Sequence, residues 1–161
     1  MKTLLLSLLA AVVVGAPAQA DFEAGLTAYR AGDYETALRE WMPLAEAGSA
    51  KAQFNVGLLH YHGSGVPVDR AEAAKWFLEA ADGGLPRAQY QLGEMYESGD
   101  GVKEDHIQAL KWFILAGSKR YEDARKRRKK LANKMTLHQI GFAEMHVREW
   151  KRSRKEQTEE D

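Results

Sequence analysis

Apolar residues recur at three- and four-residue spacing along most of the chain, and the stretches come in pairs. Ala52, Val56, Leu59 and His60 predict a helix over 52–62. Gly63-Ser64-Gly65-Val66-Pro67 breaks it. A second stripe, Ala73, Trp76, Phe77, Ala80 and Ala81, follows Asp69 with Glu72 three residues on, the spacing of a capping box. Gly83-Gly84, with Pro86 beyond, ends that helix. Each device then returns 36 residues later. Ala52, Gln53, Phe54 and Gly57 fall on Ala88, Gln89, Tyr90 and Gly93; Gly63, Gly65, Val66 and Asp69 fall on Gly99, Gly101, Val102 and Asp105. Ala73, Lys75, Trp76, Phe77 and Ala80 fall on Ala109, Lys111, Trp112, Phe113 and Ala116. A fixed period of this length predicts stacked helical hairpins, which share one continuous core and present a surface rather than a pocket.

The repeated residue types carry a packing logic. Alanines at 52, 73, 80, 88, 109 and 116 let helices approach at the short end of the usual ~8–10 Å axial spacing. Gly57 and Gly93 sit inside predicted helices, where glycine costs ~1 kcal/mol against alanine, so a neighbour is expected to need the space. Trp76 and Trp112 are expected to supply bulk between layers. The set Ala52, Gly57, Gly63-x-Gly65-Val66, Asp69, Ala73-x-x-Trp76 and Ala80-Ala81 resembles the Sel1-like repeat family, a cousin of the tetratricopeptide repeat. Ala88, Leu92-Gly93, Tyr96, Gly99-x-Gly101-Val102, Asp105, Ala109-x-x-Trp112 and Ala116 repeat the likeness, with Tyr96 facing His60 and Gly117 replacing a second alanine. The resemblance implies an all-α, right-handed α-solenoid of antiparallel helix pairs with a helical C-terminal cap.

The flanks continue the pattern more loosely. Gly25-Leu26, Ala28-Tyr29, Gly32-Asp33-Tyr34, Ala37-Leu38 and Trp41 resemble a tetratricopeptide-style hairpin with a shortened turn, and Pro43 is expected to kink its second helix near Arg39. Downstream, 121–134 is helical by composition, and Thr136 with Gln139 caps a last helix through about Arg152. Arg128 and Lys129 occupy the slots of Leu92 and Gly93, so close packing cannot repeat there and the stack is expected to end. The predicted organisation is a signal peptide at 1–20, a degenerate hairpin at 21–51, repeats at 52–87 and 88–123, capping helices at 124–152 and a charged disordered tail at 153–161.

The leader changes the cellular picture. Lys2, an apolar run over 4–14 interrupted by Ser7, and Pro17 before Ala18-Gln19-Ala20 have the form of a secretory signal peptide cleaved after Ala20. A periplasmic protein is the expectation. No cysteine is present, which removes disulfides, thiolate nucleophiles and cysteine-based metal sites. Charge balances overall but not locally: 21–118 carries a net −7, 119–155 a net +10. The run Arg125, Lys126, Arg127, Arg128, Lys129 and Lys130 would suggest nucleic acid in a cytosolic chain, and export argues against that. It reads either as a solvated face complementing the acidic repeats or as a contact for lipid headgroups, lipopolysaccharide or an acidic protein.

Candidate catalytic chemistry is sparse. His60 and His62 are two apart on a helix, and His138 and His146 eight apart with no third ligand, so no metal or cofactor is expected. Gly63-Ser64-Gly65 links two helices and lacks the strand a nucleophile elbow needs. The remaining candidate is a groove. In the tetratricopeptide relatives the first helix of each hairpin lines the concave face. Aligning Gly25, Gly57 and Gly93 puts Phe22, Phe54 and Tyr90 in one row, Leu26, Leu58 and Glu94 in the next, then Tyr29, Tyr61 and Glu97, with Arg30 and His62 beside them. The aromatic row suits either partner hot spots or inter-repeat core. The expected function is non-catalytic binding of a protein or peptide, with no nucleic acid and an open oligomeric state. Some exported Sel1-like proteins are linked to β-lactam hydrolysis, but that group carries a disulfide in each repeat, which this chain cannot form. Cell-wall glycan binding through tyrosine and tryptophan is the third reading.

Overall fold

The computed structural model describes residues 21–160, and the expected leader with its cleavage after Ala20 lies outside them. Eight helices and no strand make up the described residues: α1 (Phe22–Arg30), α2 (Tyr34–Glu46), α3 (Ala50–His62), α4 (Arg70–Asp82), α5 (Pro86–Ser98), α6 (His106–Ser118), α7 (Glu122–Ala132) and α8 (Leu137–Glu160). Consecutive helices pack on one another from α1 to α7, as a solenoid requires.

Each second helix starts on an aspartate 36 residues after the last. Asp33 accepts from the Thr36 amide at 3.1 Å, Asp69 from Glu72 at 2.8 Å, and Asp105 from Ile107 and Gln108 at 2.9 and 3.0 Å. A cap of this kind contributes about 1 kcal/mol. The predicted box at Asp69 closes on one side, because the Glu72 carboxylate turns to Lys75 at 2.7 Å. Thr136 and Gln139 close both sides, at 2.9 and 3.2 Å. α2 runs through Pro43, whose missing N–H falls on an exposed side of the helix.

The helix glycines have the neighbours their cost implies. A methyl group on Gly57 would lie 2.7 Å from Phe77 Cε1, and one on Gly93 2.6 Å from Phe113 Cε1. Trp41 packs on Gly25 in the same way. Within each hairpin an aromatic ring of the second helix thus seats on the glycine of the first. Gly63 and Gly99 end α3 and α5 at φ 71°. Gly65, at φ 73°, brings its loop against the preceding hairpin, 2.8 Å from Tyr34 Cβ for an added methyl, and Gly101 does the same at Arg70.

Two expectations need correction. Trp112 is buried at 1 % exposure, but Trp76, its counterpart, is only half-buried. The difference is α8, whose Trp150 covers Trp112 with ring centroids 6.4 Å apart. Nor is 153–161 a disordered tail over its described part. α8 continues to Glu160, with Lys155–Glu159 paired at 3.5 Å in i,i+4 register and no glycine or proline after Gly141 to stop it.

The stack ends where the slots change. α7 enters as the first helix of a fourth hairpin: Ala124 is fully buried like Ala52 and Ala88. With Arg128 and Lys129 in place of leucine and glycine, no closing helix seats on it. α8 packs on α6 instead, and Trp150 Nε1 donates to Asp82 Oδ1 at 2.8 Å.

Candidate functional site

The first helices of the hairpins carry the predicted groove residues, and packing divides them. Phe54 is 7 % exposed and stacks on Phe77 at 5.4 Å, so at this position the aromatic row is core. Phe22 is half-buried beside Trp41 at 6.1 Å, and Trp41 Nε1 donates to the Phe22 carbonyl at 3.2 Å. Tyr90 is half-buried between Phe113 and Tyr121, and its hydroxyl donates to Glu94 at 2.9 Å. Burial, with the Glu94 carboxylate next to it, pushes this phenol up to about 12. Phe54 is therefore core, and Phe22 and Tyr90 pack against core clusters with part of each ring at the surface.

The next rows lie nearer solvent. Leu26 and Leu58 are half-buried at the edges of their clusters, and Arg30 and His62 are exposed. Tyr29 stacks on Tyr34 at 5.3 Å and on Trp41 at 5.7 Å. Tyr61 donates its hydroxyl to Asp100 at 2.9 Å, while the Arg70 guanidinium sits 3.7 Å from its ring and 3.6 Å from Asp100. That trio ties one repeat to the loop of the next, so Tyr61 is a strut. Burial first, then Asp100, raises its pKa. Glu97 pairs with Arg127 at 2.7 Å, which holds the guanidinium charged. The rows left toward solvent are thus Arg30 with Leu26 and His62 with Leu58, whereas Glu94 is held by Tyr90.

Several bonds had no counterpart in the sequence reading. Gln53 and Gln89 are buried, and each donates Nε2 to a carbonyl of the preceding helix, Ala45 and Ala81, at 3.1 Å. Arg125 stands one period further on and donates Nε to the Gly117 carbonyl at 3.2 Å. The signal was available: a glutamine repeated in phase within an apolar frame. The basic run is accordingly mixed. Arg125 and Arg127 are structural, whereas Lys126, Arg128, Lys129 and Lys130 are exposed.

Arg125, Arg128 and Lys129 also border an open cleft of about 470 Å³, floored by Leu110, Ile114 and Ile140. It lies where α7 and α8 fail to close. No group of three or more histidine, aspartate or glutamate side chains placed to hold a metal occurs among the described residues. No helix there is long and apolar enough to cross a membrane. His146 meets Gln108 at 3.3 Å, and His138 lies against Phe142 at 4.5 Å.

Comparison with known proteins agrees with this architecture. The Sel1 repeat model matches residues 50–85 and 86–121, a frame two residues earlier than the sequence boundaries because α3 and α5 start at Ala50 and Pro86. The chain is similar to the crystal structure of a protective antigen present in uropathogenic Escherichia coli strains displaying an SLR fold. The identity is 33 %, the TM-score 0.74, and the match covers 78 % of this chain and 28 % of that one. A Sel1 repeat protein from Oxalobacter formigenes matches at 31 % identity and TM-score 0.66, over 69 % of this chain and 46 % of that one. The chain therefore spans less than half the length of either. No match is found among curated proteins. Two Sel1 repeats in tandem, set between a shorter hairpin and a helical cap, make this chain a Sel1-like repeat protein.

Proposed function

We propose that this protein is a non-catalytic scaffold exported to the periplasm, where it binds a protein or peptide along the first helices of its repeats. The observation that supports this is the division of those helices. Their aromatic row packs on the core, while Arg30, Leu26, Leu58 and His62, whose ring meets Tyr61 edge-on at 5.2 Å, form a strip toward solvent. Half-buried leucines flanked by exposed polar groups suit a partner segment that contributes apolar side chains and main-chain bonds.

The test substitutes the two exposed members. Arg30→Ala with His62→Ala should abolish partner capture and change the melting temperature little, because neither side chain is buried and no carboxylate is placed at a helix C-terminus. Capture that survives this change would remove the strip from consideration. Export is checked by cell fractionation and N-terminal sequencing: the periplasmic form should begin at Asp21, and a cytoplasmic form retaining Met1 would contradict it. Nitrocefin turnover by the purified protein would overturn the non-catalytic reading.

A further inference from the structure

The α7–α8 end carries a surface that scaffold binding does not use. Four large hydrophobic side chains are markedly exposed among the described residues, and two of them, Leu137 at 88 % and Phe142 at 39 %, lie on the first turns of α8. With Gly141 and Met145 they border a shallow, open depression beside Arg148. Ala143 and Val147 are buried toward α6. At 100° per residue, Gly141 and Met145 point to the opposite side of the helix. An α-helix docked by one apolar face normally shows solvent a polar one; here the outward side carries Leu137, Phe142 and Met145, with exposed His138 among them.

Arg148 lines this patch, and further cations stand on the adjoining side of the module. Around α8, Ile140 and Glu144 border the cleft that Arg128 and Lys129 line from α7, and Leu137, Gly141 and Arg148 are their i±3 and i±4 neighbours. The cleft and the patch therefore adjoin along the side of α8 that carries Leu137 and Arg148. Lys126, Lys130 and Lys134 are exposed on the same module, whose segment 119–155 carries a net +10. Glu144 is the acid within the face and Glu149 lies further along α8, both exposed.

We propose that this end of the molecule docks on an anionic lipid surface, with Leu137, Phe142 and Met145 entering the headgroup region and Arg128, Lys129, Lys130 and Arg148 meeting phosphates. Apolar side chains beside a polybasic cluster are the two signals that together hold a peripheral protein on such a surface. A second copy fits less well, because an isologous contact would oppose two strongly cationic faces. A folded protein partner fits less well too, since Leu137 is 88 % exposed at the rim of a shallow depression, which suits a deformable surface. The docking is independent of the strip on the first helices.

The absence of cysteine gives a direct test. The full chain carrying Leu137→Cys, or Leu78→Cys on α4 as a control, is labelled with an environment-sensitive dye. Each is mixed with vesicles of phosphatidylcholine alone or of phosphatidylcholine with phosphatidylglycerol. The expected result is a blue shift at position 137 only, with phosphatidylglycerol vesicles only, reversed by high salt. Lys129→Glu with Lys130→Glu should weaken partitioning by about tenfold or more. No shift at 137, an equal shift with neutral vesicles, or binding through the leader that leaves 137 unshifted would each overturn the proposal. A shift that grows with protein concentration in the absence of vesicles would overturn it in favour of self-association.

Discussion

Glycine substitutions at three helix positions should have opposite signs, and the reason is local. At Gly93 an added methyl meets the Phe113 ring, which is fully buried and cannot swing aside. Gly93→Ala should therefore lose about 1–3 kcal/mol to overpacking, more than the ~1 kcal/mol that alanine gains in helix propensity. Gly57→Ala, facing Phe77, should behave alike. Gly141 has nothing within 4 Å, so Gly141→Ala should gain about 0.5–1 kcal/mol. Chemical denaturation of the three variants checks the signs. Tyr90 offers a pH test. Its phenol titrates at about 12 in the fold against an ordinary 10.0. Below the lower value both states keep the proton and stability is unaffected. As pH rises between the two, the unfolded chain ionises first and stability falls. Tyr90→Phe should flatten that alkaline decline in a series of thermal melts. The sequence calls for a neighbour at Gly57 and Gly93 without naming it, and places the bulk between layers at Trp76 and Trp112. The rings that fill the space are one residue later, at Phe77 and Phe113. Adjacent aromatics point about 100° apart on a helix, and which one faces inward depends on a partner helix that periodicity alone does not place.

At the scale of elements, the repeats were legible because small, aromatic and capping residues agree twice in register. Arg128 and Lys129 likewise marked the end of the stack, and α8 passes α7 by to pack on α6. The extent of α8 was not legible. A charged, apolar-free segment has the composition of disorder, yet it inherits helical direction from an anchored stretch and needs only local pairs to continue. The anchor is Trp150, bonded to Asp82 across the repeats and half-buried. Trp150→Ala should cost about 2–3 kcal/mol, less than a fully buried tryptophan. Amide exchange should then accelerate along α8 and remain slow in α3 to α6. Uniform acceleration through all helices would mean that α8 is part of the cooperative core rather than a cap.

The whole molecule couples an acidic stack to a basic end, and its pI near 7.0 conceals this. Architecture and repeat family followed from the duplicated pattern, but the division of the first-helix rows between core and solvent did not. The first-helix rows proved to be mixed: Phe54 and Tyr61 hold the stack together, whereas Arg30 and His62 remain open. Side-chain periodicity marks a face without telling which neighbours will consume it, so a solenoid's core and groove look alike until the helices are stacked. The most direct measurement is photo-crosslinking in intact cells from a reactive amino acid placed at Arg30, at His62, or at exposed Leu78 on α4. The scaffold account predicts adducts to the same protein from the first two positions and none from the third. Adducts from Leu78 alone, or none from Arg30 and His62, would contradict it.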